Sequence, residues 1–232
     1  MGKAAAEILI KEGYFVHGVY NTNEEEALSM KKTLKNLEIY QCDFSDRKNT
    51  FRLISDLKKI KFHGIVNNAG VFIDTDFDKF EMSDWEKTFE VNLHAPLLLI
   101  HGLKDNLENG GSIVNITSTD ALTGAISGLA YSASKAALTN LTMSMANILS
   151  PRGIRTNNIA PGWIGDGMQS PQELLDEAKL FNPLGRLGEY KDIANIVSFL
   201  LSDKSAFVNG TTIVVDGGDA ATNYLLKKES EL

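Results

Sequence analysis

Gly64-Ile65-Val66-Asn67-Asn68-Ala69-Gly70 opens as a short buried strand and breaks into a run of Asn and small residues. Open α/β sheets bind their ligands at such strand ends, where small residues let a ligand approach the backbone. Asn and Gly are also ordinary turn formers, so the surroundings have to decide. Upstream, residues 3–12 read as a helix: Ala4, Ala5, Ile8 and Leu9 fall at helical spacing, and Gly13 is placed to end it. Tyr14 to Tyr20 is a β-rich run, followed by a polar turn at Asn21-Thr22-Asn23 and a Glu- and Lys-rich helix as far as Lys35. Leu37 to Cys42 is the next strand and Asp46 to Ile60 the next helix.

Downstream, Ser83-Asp84-Trp85-Glu86 is a capping box that opens a long helix, and Pro96 is placed to kink it. Ser112 to Thr117 reads as strand, 130–150 as a long helix and Arg155 to Ala160 as strand. Residues 171–182 look like a mobile helical insertion, 190–202 like another helix, and Thr211 to Val215 is the final strand. Strands that alternate with helices imply an α/β fold, a doubly wound parallel sheet of the Rossmann type. No repeat, low-complexity stretch or linker interrupts residues 1–232, so one domain is expected.

Composition narrows the function classes. A chain of 232 residues is long enough to bury a proper core, and 43% apolar with 23% charged residues is ordinary for a globular protein. The net charge of −7 argues against a nucleic-acid partner, which needs a clustered basic surface. It leaves room for a small anion held by backbone N–H groups. The single Cys42 excludes an internal disulfide and a multi-thiolate metal site, and it suits a reducing compartment. His17, His63, His94 and His101 are scattered without ligand spacing, so no metal is expected. No apolar run reaches the length of a membrane span and no signal peptide is visible; a cytoplasmic protein is the default expectation.

The chemistry-bearing residues are Ser118, Tyr131 and Lys135, the last two inside Ala130-Tyr131-Ser132-Ala133-Ser134-Lys135. Tyr and Lys four apart on a helix project from one face. A phenol titrates near 10, roughly, and an adjacent ammonium is expected to pull that value down and make it a usable proton carrier. A hydroxyl upstream can orient a carbonyl against both, which suggests proton transfer to or from a carbonyl or alcohol oxygen. Alone, the same spacing also describes a solvated surface pair.

Several motifs in order raise the reading. Asn67-Asn68-Ala69-Gly70, Val91-Asn92, Ser118, Tyr131 and Lys135, Pro161-Gly162 and Asn209-Gly210 together closely resemble the short-chain dehydrogenase/reductase family of the classical type. The likeness runs from Gly2 to Gly218, and it is nearest to the 3-oxoacyl-[acyl-carrier-protein] reductase and glucose dehydrogenase-like branch. The resemblance implies that Tyr131 delivers a proton to a carbonyl oxygen while a nicotinamide supplies hydride to its carbon. Lys135 then tunes the tyrosine and holds the nicotinamide ribose, Ser118 binds the substrate oxygen, and Asn92 anchors a water that passes protons to Lys135.

It further implies cofactor contacts at Gly2, Tyr20, Asn21, Thr22, Asp43, Phe44, Asn68, Ala69, Gly70, Pro161, Gly162, Ile164 and Asp166, besides Tyr131 and Lys135. Asn67 is open to another role, bracing neighbouring strands, and Asp43 to helix capping toward Asp46. Family members that use NAD carry an Asp at the position of Tyr20 to bind the ribose hydroxyls. Its absence tilts the expectation toward NADP, although no Arg is there and Glu24, Glu25 and Glu26 follow, so NAD stays open.

The substrate implied is a small carbonyl or alcohol, a 3-oxoacyl thioester or similar ketone, with a sugar or polyol as the alternative class. Residues 165–189 and the loop from Asp120 to Ala130 are expected to shape its pocket. Family members are mostly homotetramers, so a homotetramer or homodimer is implied.

Two departures stand out. Asp166 occupies the place where the family usually has a Thr for the nicotinamide carboxamide, between Gly165 and Gly167. At the start, Met1-Gly2-Lys3 aligns with the last Gly of the family's glycine-rich turn, so the first strand and most of that turn are missing from this chain. Loss of a central strand leaves unpaired backbone on two neighbours. The expectation is a further segment of about ten residues, one strand plus its loop. The rival reading is a redox-silent binding or scaffold protein that has lost tight cofactor binding.

Overall fold

The computed structural model describes residues 1–74, 77–166, 168 and 170–222. Helix α1 (Gly2–Lys11) leads into β1 (Val16–Tyr20), α2 (Glu24–Thr33), β2 (Leu37–Gln41), α3 (Arg47–Leu57) and β3 (Phe62–Asn67). Helices α4 (Met82–Phe89) and α5 (Ala95–Leu103) precede β4 (Leu107–Ile116), the short α6 (Asp120–Thr123) and the long α7 (Leu129–Leu149). Strand β5 (Arg155–Pro161), α8 (Gln172–Phe181), α9 (Tyr190–Leu201) and β6 (Thr212–Val215) follow. None of the described helices is long and apolar enough to cross a membrane.

Alternation along β4 explains how one strand is buried on both faces. Val114 and Ile116 join Ile159 of β5 in a cluster with α1 and α9. Ile113 points the other way, to Ile100 of α5 and Leu149 of α7. All pairings are parallel, which makes the sheet doubly wound. Gly64 in β3 is required by close approach: a Cβ there would lie 2.5 Å from the Leu201 side chain and 2.6 Å from the Ser112 carbonyl.

The strands fall into two sheets, β1-β2 and β3-β4-β5-β6. No backbone ladder joins β1 to β3, where unpaired edges are expected from the sequence. The two sheets meet instead through side chains at their N-terminal ends: the His17 and Phe62 rings are 5.7 Å apart and Tyr14 and His63 5.8 Å. In the larger sheet a polar row, buried except at Thr212, crosses the strands in register, Asn67 opposite Asn115, Asn115 opposite Asn158, and Asn158 opposite Thr212. Asn67 Nδ2 donates to Asn115 Oδ1 (2.7 Å), and Asn115 Nδ2 donates to Thr142 Oγ1 of α7 (2.8 Å). Asn158 Nδ2 donates to Thr212 Oγ1 (3.1 Å). Asn67 therefore braces strands.

Two local expectations are corrected. Helix α4 begins at Met82 with Glu81 as its N-cap and no side-chain cap, because extended backbone at Glu81 starts the helix ahead of Ser83. The chain's capping box is at Glu189 and Asp192, opening α9. The break expected at Pro96 is a π-turn over Glu90–His94, where the Ala95 N–H donates five residues back to the Glu90 carbonyl. Pro96 has no N–H to return to Asn92, so the turn widens just ahead of it.

Candidate active site

A cleft of about 540 Å³ opens where β1, β2, β3 and β4 end, lined by Asn21, Asp43, Phe44, Asn68, Ala69, Gly70, Tyr131 and Lys135. Its floor is built by the π-turn. Asn92, fully buried there, accepts from the Val71 N–H (2.8 Å) and donates to the Val71 carbonyl (2.9 Å) and to Ser134 Oγ (3.1 Å). One amide thus ties the loop after β3 to α7. Gly70 lies beside it, and a Cβ at that position would stand 3.3 Å from Lys135 Nζ and 3.4 Å from Asn92 Oδ1. Gly2 is equally constrained, its missing Cβ 2.8 Å from Asn68 Nδ2.

Ser118 leaves β4 and meets Tyr131 of α7. The Phe72 ring meets the Tyr131 ring edge-on at 5.3 Å, and the Ser118 hydroxyl favours the phenolate. Lys135 Nζ is buried, donates to the Ile116 carbonyl (2.8 Å) and lies 5.6 Å from the Tyr131 ring centroid. The expectation that Lys135 draws the phenol down is not met. Burial pushes Tyr131 up to about 12, the Ser118 hydrogen bond offsets part of that, and Asp120 adds to the rise. Burial also brings the Lys135 ammonium down to about 8. Desolvation outweighs pairing because the ammonium is directed at a carbonyl rather than at the phenol oxygen. Tyr131 is therefore held protonated, ready to give a proton.

The residues of the cleft fit a dinucleotide. The N-terminus of α1 faces it through Met1, whose amine is lowered by burial and partly restored by Asp166 and Glu26. Helix N-termini favour anions. The glycine cradle at Gly70 leaves space beside Lys135 that a side chain would fill.

A sequence model of the family described as Enoyl-(Acyl carrier protein) reductase matches residues 1–219. The chain belongs to the short-chain dehydrogenase/reductase family. A 3-oxoacyl-[acyl-carrier-protein] reductase of Rickettsia conorii is 35% identical over 223 residues, 94% of this chain and 91% of that protein. An acetoacetyl-CoA reductase of Rhizobium meliloti is 33% identical over 227 residues, 94% and 93% of the two chains. Among solved structures, the blue fluorescent protein from a metagenomic library in complex with NADPH superposes with a TM-score of 0.89 at 28% identity, covering 94% and 93%.

This reductase fold brings some of the sequence-derived residues together and leaves others apart. Asn92, Ser118, Tyr131 and Lys135 converge. Tyr20 and Thr22 stand outside the cleft lining, and the Tyr20 phenol turns to Glu24, raised by burial and by that carboxylate. Asp43 lines the cleft, but its Oδ1 accepts from the Ser45 N–H (2.9 Å) and Oγ (2.8 Å), while Asp46 caps α3. Pro161 ends β5, Gly162 packs on Asp216, and Ile164 bridges to Gly188. Asp166 accepts from the Tyr190 phenol (2.9 Å), which latches its loop to the start of α9. Gly167 and Gln169 of that loop lie outside the described residues.

The sequence reading missed Phe72 and Val71. Both follow the small-residue run directly, and only three-dimensional placement distinguishes them from ordinary loop positions.

Proposed function

We propose that this chain is an NADP(H)-preferring oxidoreductase that interconverts a ketone and an alcohol, with a 3-oxoacyl thioester or similar ketone as substrate. The observation that carries the reading is a half-buried Tyr131 in the lining of a cleft that also holds Lys135, with Ser118 at the end of the neighbouring strand. A nicotinamide dinucleotide, when bound, supplies the hydride. The chain's own residues do the rest. Ser118 and Tyr131 orient the carbonyl oxygen, and Tyr131 gives it a proton as charge develops there. Lys135 holds the ribose hydroxyls, and Asn92 fixes the loop from Asn68 to Val71 against α7. Gly2, Asn21, Asp43, Phe44, Asn68, Ala69 and Gly70 form the cofactor wall, and Pro161, Gly162, Ile164 and Asp166 flank its nicotinamide end.

The relatives named as 3-oxoacyl and acetoacetyl thioester reductases support the substrate class, and the NADPH-bound neighbour supports the cofactor. A homotetramer or homodimer belongs to the same reading, supported by exposed Met143 and Ile148 on α7 and fully exposed Phe207 beside β6. So does a cytoplasmic setting, supported by the single Cys42 thiol.

Fluorescence titration with NADPH and NADH tests the reading. Saturable binding with NADPH the tighter ligand is expected. Binding of neither nucleotide overturns the enzyme reading in favour of a redox-silent binding protein.

A further inference from the structure

Phe72, beyond the end of β3, sets its ring edge-on against Tyr131 at 5.3 Å. Its neighbour Val71 lines the cleft and is held on both its N–H and its carbonyl by Asn92, which fixes where the ring starts. From the other side the segment before α7 closes on it. Gly128 lies so near that a Cβ there would stand 2.6 Å from Phe72 Cε2 and 3.3 Å from Cζ. The glycine is what admits the ring. Phe72 nevertheless stays 36% exposed, and the segment that meets it carries fully exposed Ile126 with exposed Leu122 and Leu129. Helix α6 packs against α7, so this segment is folded beside the start of the tyrosine helix. One exposed apolar side chain is ordinary, but several grouped on two segments that meet at Gly128 form an apolar surface. The Phe72 ring offers neither charge nor a conventional hydrogen bond, so the part of a substrate it recognises is apolar.

We propose that Phe72 is a specificity-determining residue, the apolar wall that takes the alkyl end of a 3-oxoacyl thioester and favours medium chains over acetoacetyl. The proposal rests on the ketone-reductase reading above and narrows its substrate. Geometry separates short chains from long ones. A carbonyl oxygen hydrogen-bonded to the Tyr131 hydroxyl puts the carbonyl carbon about 6 Å from the centre of the phenol ring. The Phe72 ring stands 5.3 Å from that same centre, so the two are neighbours around one phenol. The methyl of an acetoacetyl group is one bond from the carbonyl carbon and covers little of the Phe72 ring. Each further methylene runs on along the wall and takes apolar surface of both partners out of water. The thioester leaves the carbonyl carbon by its other bond, so the CoA or carrier-protein end is common to every chain length.

The test measures kcat/KM for acetoacetyl-CoA and 3-oxooctanoyl-CoA in NADPH-dependent reduction by wild type, Phe72→Leu, Phe72→Ala and Gly128→Ala. The octanoyl-to-acetoacetyl ratio within each protein cancels the shared CoA contacts and any general loss of activity. The extra methylenes, covered on one side by the wall, are worth about tenfold, so wild type is expected to prefer the octanoyl substrate by about that factor. Phe72→Ala is expected to lower the ratio about tenfold, with Phe72→Leu between. Gly128→Ala pushes the ring off its seat and should lower the ratio too, yet leave it unchanged when combined with Phe72→Ala. A ring that only packs the fold would not produce that dependence. Should Phe72→Ala not fold, Phe72→Leu and Gly128→Ala carry the comparison. A ratio that is unchanged in the Phe72 variants, or rises in them, overturns the role of Phe72 and leaves the reductase reading standing. A wild-type protein that oxidises NADPH with neither thioester overturns the reductase reading and this proposal with it.

Discussion

The β3–β6 sheet and the β1–β2 sheet share parallel geometry but differ in what ties their strands together. The larger sheet is locked by a polar row, buried Asn67, Asn115 and Asn158 with half-buried Thr212, and sandwiched between α1–α9 and α5–α7. The smaller has two strands, an exposed Val19 and a single cross-strand side-chain hydrogen bond, His17 to Tyr40 at 3.1 Å, among the described residues. Ser118, Tyr131 and Lys135 all hang on the larger sheet, whereas Asn21 and the Asp43-Phe44 wall hang on the smaller. Proton handling and much of the cofactor wall are thus supported by regions of unequal firmness. A buried ammonium and a desolvated phenol are tolerated where the packing is deepest.

Removing the proton donor is expected to have the largest effect. Tyr131→Phe keeps the ring that packs against Phe72 and should lower kcat/KM by about 10²–10⁴ with little change in Tm. A Phe variant that retains wild-type turnover, measured in steady state, detaches catalysis from this half of the molecule.

Lys135 probes how much unfavourable charge the larger sheet hosts. Its folded pKa is depressed to about 8, below its unfolded value near 10.5. The folded state therefore disfavours the ammonium, a penalty fully present below pH 8 or so and relieved as pH rises through the unfolded pKa. Relative to Lys135→Met, wild type should gain on the order of 3 kcal/mol between pH 7 and pH 10.5 in urea unfolding. A stability difference that does not change with pH would show that the ammonium is not desolvated.

Hydrogen exchange compares the two sheets directly. Two-stranded sheets are marginal, and an unpaired edge opens locally. Amides of β1 and β2 should exchange about tenfold or more faster than those of β4 and β5, read by mass spectrometry. Equal protection would mean that the two sheets unfold as one unit.

Much of this was legible in the sequence because the periodic segments are long and several of the motifs fall at strand ends. The strand-bracing alternative for Asn67 turned out to describe its contact, since Asn115 and Asn158 lie in register with it. Other features were hidden by tertiary effects. The phenol–ammonium pair looked like mutual tuning, but burial dominates both groups and the ammonium turns to the Ile116 carbonyl. The π-turn has no propensity signature beyond Pro96, and Ser83 lost its capping role to backbone geometry at Glu81. Asp166 finds Tyr190 across 24 residues, a contact no local pattern announces.

The central claim is that the cleft carries carbonyl reduction by a reduced nicotinamide. Its most direct test is ketone-dependent consumption of NADPH by the purified protein with acetoacetyl-CoA, quantifying the alcohol formed. The account predicts one hydroxyl product for each NADPH consumed, with no consumption when the ketone is left out. Bound NADPH that is never oxidised in the presence of ketone, or oxidation without alcohol, would contradict it.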